Sequence, residues 1–167
     1  MRPLMNTRIA PVSGNEITTV LGAKPLKHIE KIIDNVLPHT ERCIMAKGEV
    51  IHYYSGDIRQ CFLLLHGSVA LHRRGDGIVL NSESAPFILG VSSQFSSEHL
   101  YVRALETSEV ASVTLERFNH VVAQQNLWES FSNLLIYTAS RVYEHCAQIS
   151  QMSAYDIIRS EEHTSEL

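Results

Sequence analysis

Between Thr40 and Thr114 the chain breaks into eight short β-rich runs, at residues 43–46, 50–54, 61–65, 69–72, 78–80, 87–89, 100–105 and 110–113. Turn-forming residues punctuate them: Lys47-Gly48-Glu49, Ser55-Gly56-Asp57, His66-Gly67, Arg74-Gly75-Asp76-Gly77 and residues 92–97. Strands so short and so closely spaced leave no room for crossover helices, so neighbours must pair antiparallel. An antiparallel barrel or jelly roll is the expected solution, because it hides its strand edges. Arg74-Gly75-Asp76-Gly77 is the clearest hairpin, since Asp-Gly suits the turns that match strand twist.

Helices flank this block, which makes the expected fold class α+β. Pro25 can open a helix, Leu26, Ile29, Ile33, Val36 and Leu37 recur at helical spacing, and Pro38 closes the run. After Thr114, Leu115, Phe118, Val121 and Val122 mark a short amphipathic helix that Gln124-Gln125-Asn126 interrupts. Asn126 is placed to cap the next helix, with Glu129 three residues on. That helix is expected over residues 127–151. Phe131, Leu135, Ala139, Val142, Cys146 and Ile149 fall on it at near-heptad spacing. Trp128, Leu134, Thr138 and Tyr143 widen its apolar surface. A helix packed on a barrel needs one apolar stripe. The excess points to a second helix, and the six seam residues are the expected interface of a homodimer.

Ser153-Ala154-Tyr155-Asp156 has the form of a capping box, so a further helix is expected to start at Ser153. The nine residues from Arg159 to Leu167 read as a translated short-read sequencing adapter (AGA TCG GAA GAG CAC ACG TCT GAA CTC). The natural chain is therefore expected to differ beyond residue 158 and to continue. The resulting plan is a flexible arm at 1–22, a β-roll with flanking helices at 23–126, a dimerisation helix at 127–152, the start of another unit at 153–158, and foreign sequence at 159–167.

Composition narrows the partners. The 167 residues carry 14 Lys+Arg against 18 Asp+Glu, a net charge of −4. Without the last nine residues the counts become 13 and 15, a net charge of −2. A self-sufficient nucleic-acid binder shows a basic face, so DNA contact is expected only through a further C-terminal segment. No apolar run reaches the roughly 18–20 residues of a membrane span, and the N-terminus lacks the apolar core of a signal peptide. Three scattered cysteines, Cys43, Cys61 and Cys146, make neither a disulfide framework nor a metal cluster. A cytoplasmic protein without membrane contact is expected.

The order of helix, β-roll, short helix and long helix resembles the cAMP receptor protein superfamily of transcription regulators. The stretch from Cys61 to Leu71 is similar to that family's strand–glycine–strand segment. Tyr101-Val102-Arg103-Ala104, Glu109-Val110-Ala111 and Leu115-Glu116-Arg117-Phe118 resemble the end of its roll and the helix after it. Within the superfamily the chain is most similar to a small enterobacterial branch, the inhibitors of hydrogen peroxide resistance. The shared wording is Ala85-Pro86-Phe87-Ile88-Leu89-Gly90, Asn126-Leu127-Trp128, and Ser153 with Tyr155-Asp156. The resemblance spans residues 24–158. It implies a cyclic-nucleotide-binding-like roll, a homodimer, a winged helix-turn-helix following the long helix, and an output in the oxidative-stress response.

Cyclic-nucleotide binders of this superfamily use a Gly-Glu pair for the ribose and an arginine for the phosphate. The matching stretch here, Phe87-Ile88-Leu89-Gly90-Val91-Ser92, has no such pair. Aligning on Val102-Arg103-Ala104 sets Glu98 at the arginine's place, where a carboxylate repels phosphate. Arg103 falls elsewhere on its strand. Leu89, Gly90, Glu98 and His99 are thus expected to line a degenerate nucleotide pocket that does not take cAMP, and the effector is left open.

No cofactor or metal is expected. The N-terminal arm lacks the cysteines of an iron–sulfur sensor, and the eight histidines before the last nine residues are scattered as structural or surface residues are. The cysteines sit on apolar runs, as small buried hydrophobes do, and only Cys43 has a basic neighbour, Arg42. A cupin-like metal enzyme would need a His-x-His pair, which the sequence lacks, and His66 and His72 are a poor substitute. With no nucleophile elbow, P-loop or His-Glu-x-x-His either, the chain is expected not to be an enzyme. A partner-binding module without DNA contact is the alternative to a regulator fragment.

Overall fold

The computed structural model describes residues 23–92 and 99–165, with side chains as far as Ser150 except Ile149. The arm expected at 1–22 and Glu98 lie outside the described residues, as does the side chain of Ile149.

Helix α1 spans Leu26–Val36 and buries Ile29, Ile32, Ile33 and Val36. Leu26, expected inside, is 47% exposed, and Ile32 takes its place in the core. Pro25 sits just ahead of the helix, and a 3₁₀ turn over Leu37–His39 carries Pro38 near its start.

Nine strands follow among the described residues: β1 Glu41–Met45, β2 Val50–His52, β3 Tyr54–Ser55, β4 Ile58–His66, β5 Ser68–Arg73, β6 Val79–Ser84, β7 Phe87–Leu89, β8 Leu100–Ala104 and β9 Ser108–Thr114. All pair antiparallel, in two sheets ordered β1-β9-β4-β3, with β7 on β4, and β2-β8-β5-β6. The run expected at 50–54 is split, because the chain changes sheets at Tyr53, whose side chain is buried at that corner. Strand β4 buries Cys61, Phe62, Leu63 and Leu64 in succession. That pattern requires cover on both faces, and the second helix packs on it. Between β4 and β5, Gly67 has φ +95°, and a Cβ there would lie 2.2 Å from Ser108 Oγ. Only glycine fits that crossing. The β5–β6 connection closes with Gly77 N donating to Arg73 O (3.0 Å) and Asp76 Oδ1 accepting from Ile78 N (3.1 Å).

Helix α2, Leu115–Gln124, is capped by Thr114, whose Oγ1 accepts from Arg117 N at 3.1 Å. It buries Phe118, Val121 and Val122. Asn126 acts differently from the expected cap: it adopts φ +53°, a left-handed conformation that asparagine tolerates, and so reverses the chain. Helix α3 then spans Trp128–Ser165, 38 residues, or about 57 Å at 1.5 Å per residue. The helix start expected at Ser153 is therefore corrected: α3 passes through it without a break. Residues 151–158 contain no Gly or Pro, and Gln, Met and Ala favour helix, so the capping pattern alone does not interrupt it. No described helix is long and apolar enough to cross a membrane.

Candidate functional site

One core joins α1, both sheets, α2 and the first turns of α3, through Leu127 just ahead of that helix and Phe131 and Leu134 within it. Beyond these turns α3 passes over the roll, and a cavity of about 880 Å³ opens between them. Strands β5, β6 and β7 supply Val69, Leu71, Leu80, Phe87 and Leu89 to its wall; α3 supplies Leu135, Thr138, Ala139 and Val142. The roll walls the cavity on one side and α3 on the other.

Leu89, Gly90 and His99, three of the four expected pocket residues, line this cavity. Gly90 has φ +94°, and a Cβ there would lie 2.6 Å from Tyr53 Cε1 and 3.3 Å from Arg59 Nη1. Arg59 braces this corner. Its guanidinium lies 4.5 Å from the Tyr53 ring centre and donates from Nη2 to Gly90 O at 2.6 Å. Burial pushes the Tyr53 phenol well above its usual range, Arg59 opposing, and burial lowers Arg59. Sequence reading missed both, since an arginine on β4 and a tyrosine at the corner between β2 and β3 carry no signal of their contact.

Beside the cavity α3 is tied to the roll by a carboxylate. Glu83, on β6, is 7% exposed although it is charged. Tyr137 Oη donates to its Oε2 at 3.3 Å, Arg141 Nε lies 3.5 Å from Oε1, and Lys24 Nζ lies 3.8 Å from Oε2. The Arg141 contact is an ion pair rather than a hydrogen bond, since neither of those two atoms has a hydrogen-bond partner. Lys24 also donates to the carbonyls of Ser84 and Pro86, and His145 Nε2 meets Val79 O at 2.7 Å. Burial, then the negative Glu83, pushes Tyr137 up to about 12. Burial lowers Lys24 against the pull of Glu83. The sequence offered no sign of this cluster, because the polar run Asn81-Ser82-Glu83-Ser84 did not read as a strand.

The six expected interface residues divide. Phe131 is corrected: it is buried in its own chain, 5.7 Å from the Phe118 ring, and is not free for a partner. Leu135 and Val142 are half-buried on the cavity wall, whereas Ala139 and Cys146 are exposed at its margin. The most exposed apolar side chains of α3 are Trp128 at 52%, Ile136 at 66% and Tyr143 at 74%, the last also bordering the cavity.

Two cysteines also depart from expectation. Cys61 is buried, and burial raises its thiol to about 12, but Cys43 and Cys146 are exposed. Cys43 lies on β1, whose first four residues are all exposed, and Cys146 lies on α3 at the cavity margin. Partial burial and then the negative Glu49 raise the Cys43 thiol, while Arg42 pairs with Glu109 at 3.4 Å. His66 also meets Glu109, at 3.8 Å, and His72 stacks on Tyr101 with ring centres 5.0 Å apart, so the two histidines serve separate contacts. No cluster of three or more potential metal ligands occurs among the described residues.

No protein-family model and no curated protein matches the sequence. Solved structures do match. The c-di-GMP responsive global regulator CLP of Xanthomonas campestris superposes with a TM-score of 0.62 at 14% identity, over 80% of this chain and 70% of that one. The catabolite activator protein of Thermus thermophilus gives 0.53 at 20% identity, over 79% and 61%. The CO-dependent transcription factor CooA of Carboxydothermus hydrogenoformans gives 0.59 at 13% identity, over 95% and 64%. The chain thus spans between about three-fifths and seven-tenths of these longer regulators, and its mixed helix and antiparallel β-sheet fold is that of their cyclic-nucleotide-binding-type domain.

Proposed function

We propose that this chain is the sensor and dimerisation part of a bacterial DNA-binding transcription regulator. The carrying observation is the cavity between roll and α3. A ligand there touches the roll and the helix at once, so its binding energy can bias how the helix sits. The fold shared with three longer regulators supports the same reading. DNA contact belongs to a winged helix-turn-helix that follows α3 in the natural protein. The protein acts in the cytoplasm as a homodimer, without catalysis. In line with the branch it resembles, its output is the oxidative-stress response, and residues 159–167 are foreign to it. Cyclic AMP is not its signal, because the Gly-Glu pair is missing.

The test is to read the gene past codon 158 from intact DNA, express the restored protein, and assay it by gel shift. The restored protein should retard one operator fragment in a sequence-dependent way, and the present acidic chain should not, since major-groove reading needs a recognition element. A restored protein with no DNA-binding segment would establish the partner-binding module instead.

A further inference from the structure

Resting on the sensor reading, we propose that the cavity takes an uncharged, predominantly apolar small molecule, and that it is built against phosphate- and carboxylate-bearing ligands. Its volume, about 880 Å³, lies in the range of ordinary ligand sites. Only two described lining residues carry a formal charge at neutral pH, Arg73 and Glu83, and both are already matched. Arg73 Nε lies 3.2 Å from both carboxylate oxygens of Asp76. Glu83 has Arg141, Lys24 and the Tyr137 hydroxyl around it. Residues 93–98 lie outside the described residues, and their sequence holds no lysine or arginine. An anion entering this space would shed its water and meet no free cation, a cost apolar contact does not offset. An apolar ligand meets Leu71, Leu80, Phe87 and Leu89 on one side and Leu135 and Val142 on the other.

A second copy's helix is not the occupant of this space. The cavity lies between the roll and the chain's own α3, and the contacts of Tyr137, Arg141 and His145 with β6 hold that helix down. A partner helix instead meets α3 at Ile136, which is exposed and outside the cavity lining.

The experiment is a fluorescence titration of the full chain with two dyes that differ by one charge. N-phenyl-1-naphthylamine is uncharged, and 8-anilinonaphthalene-1-sulfonate is its sulfonated analogue. The neutral dye should saturate at one site per chain and bind roughly tenfold or more tightly than the sulfonate. Leu71→Trp and Leu100→Trp, which fill the cavity from two strands, should each weaken it by a similar factor while circular dichroism and melting show a folded roll. Ile136→Glu, outside the cavity, should leave it unchanged, and Arg73→Gln should not reverse the preference for the neutral dye. Equal or tighter binding of the sulfonate, by the wild type or by Arg73→Gln, or indifference to both tryptophans in folded protein would overturn the proposal, as would the absence of a saturable neutral-dye site. Displacement of the neutral dye by cyclic AMP would overturn the ligand class and leave the sensor reading standing. The sensor reading fails separately, through the gel shift of the restored protein.

Discussion

Gly90 shows how tightly single positions are determined around the cavity. Its φ of +94° already disfavours any side chain, and the Tyr53 ring occupies the space of a Cβ. Gly90→Ala should therefore cost about 2–4 kcal/mol, combining left-handed backbone strain with overpacking. An unchanged melting midpoint would show that Tyr53 gives way freely. Tyr137 sets a pH limit of a different kind. Its phenol is held near 12 in the fold against 10 in the unfolded chain. Below pH 10 the proton is bound in both states. Between 10 and 12 the unfolded chain releases it while the folded chain keeps it, so stability falls as pH rises. Tyr137→Phe loses the bond to Glu83, at a cost of about 1–3 kcal/mol near neutrality because the acceptor is charged. The gap between wild type and variant should close between pH 10 and 12. A gap constant across that range, measured by denaturant unfolding, would place the titration elsewhere. Cys61 also titrates high, but it is common to both proteins and cancels in the difference.

At the scale of elements, α3 divides its apolar surface between its own roll and the outside. Phe131 and Leu134, with Leu127 just ahead of the helix, go to the core, whereas Trp128 and Ile136 face out and the exposed Tyr143 borders the cavity. The exposed stripe, with Ala139 and Cys146 beside it, is the surface a second copy can bury. Ile136→Glu should convert a dimer of the restored protein to monomer, because an unpaired carboxylate in an apolar seam costs several kcal/mol. It should not lower the roll's own stability, since Ile136 is 66% exposed. Val142→Glu is the less selective probe, because Val142 also lines the cavity. Light scattering on both variants separates the surfaces, and an intact Ile136→Glu dimer would move the interface elsewhere.

The same division explains what the sequence made legible. The strands with apolar runs, the hairpin at Asp76-Gly77 and the core faces of α1 and α2 follow from side-chain periodicity, a property of neighbours along the chain. Periodicity shows that α3 has surplus apolar surface but not which residue faces which neighbour, and so it placed Phe131 in the wrong contact. Strand β6 was read as only 78–80, because Asn81, Ser82, Glu83 and Ser84 are polar. What makes them a strand is pairing with β5, and what keeps Glu83 buried is three groups from α3 and the segment before α1. Interactions between distant segments leave no local signature.

Across the whole molecule, those three groups give the roll and the long helix a shared, breakable connection. Glu83 sits on the sheet, Tyr137 and Arg141 sit one turn apart on α3, and Lys24 comes from the segment leading into α1. This carboxylate, together with the His145 contact on Val79 O, therefore ties the cavity-bearing part of α3 to β6. The first turns of α3 are fixed separately, through Phe131 and Leu134 in the core. Removing the charge should loosen one part of the helix and not the other. Glu83→Gln keeps the size of the side chain but deprives two partly buried cations of their counter-charge, which costs up to about 3 kcal/mol and less where Arg141 is solvent-exposed. Hydrogen exchange should quicken for amides of residues 137–145, while 127–134 and the buried face of α1 keep their protection, because local opening follows local contact energy. Arg141→Gln should reproduce the pattern more weakly, as its side chain is 37% exposed. Uniform acceleration across the chain would show that Glu83 stabilises the fold as a whole. Unchanged exchange in 137–145 would show that apolar contact at Leu135 and Val142 holds the helix without it. The local outcome means that the roll's grip on α3 can be altered at the cavity without unfolding either part, which is the mechanical condition for a ligand signal to travel along the helix.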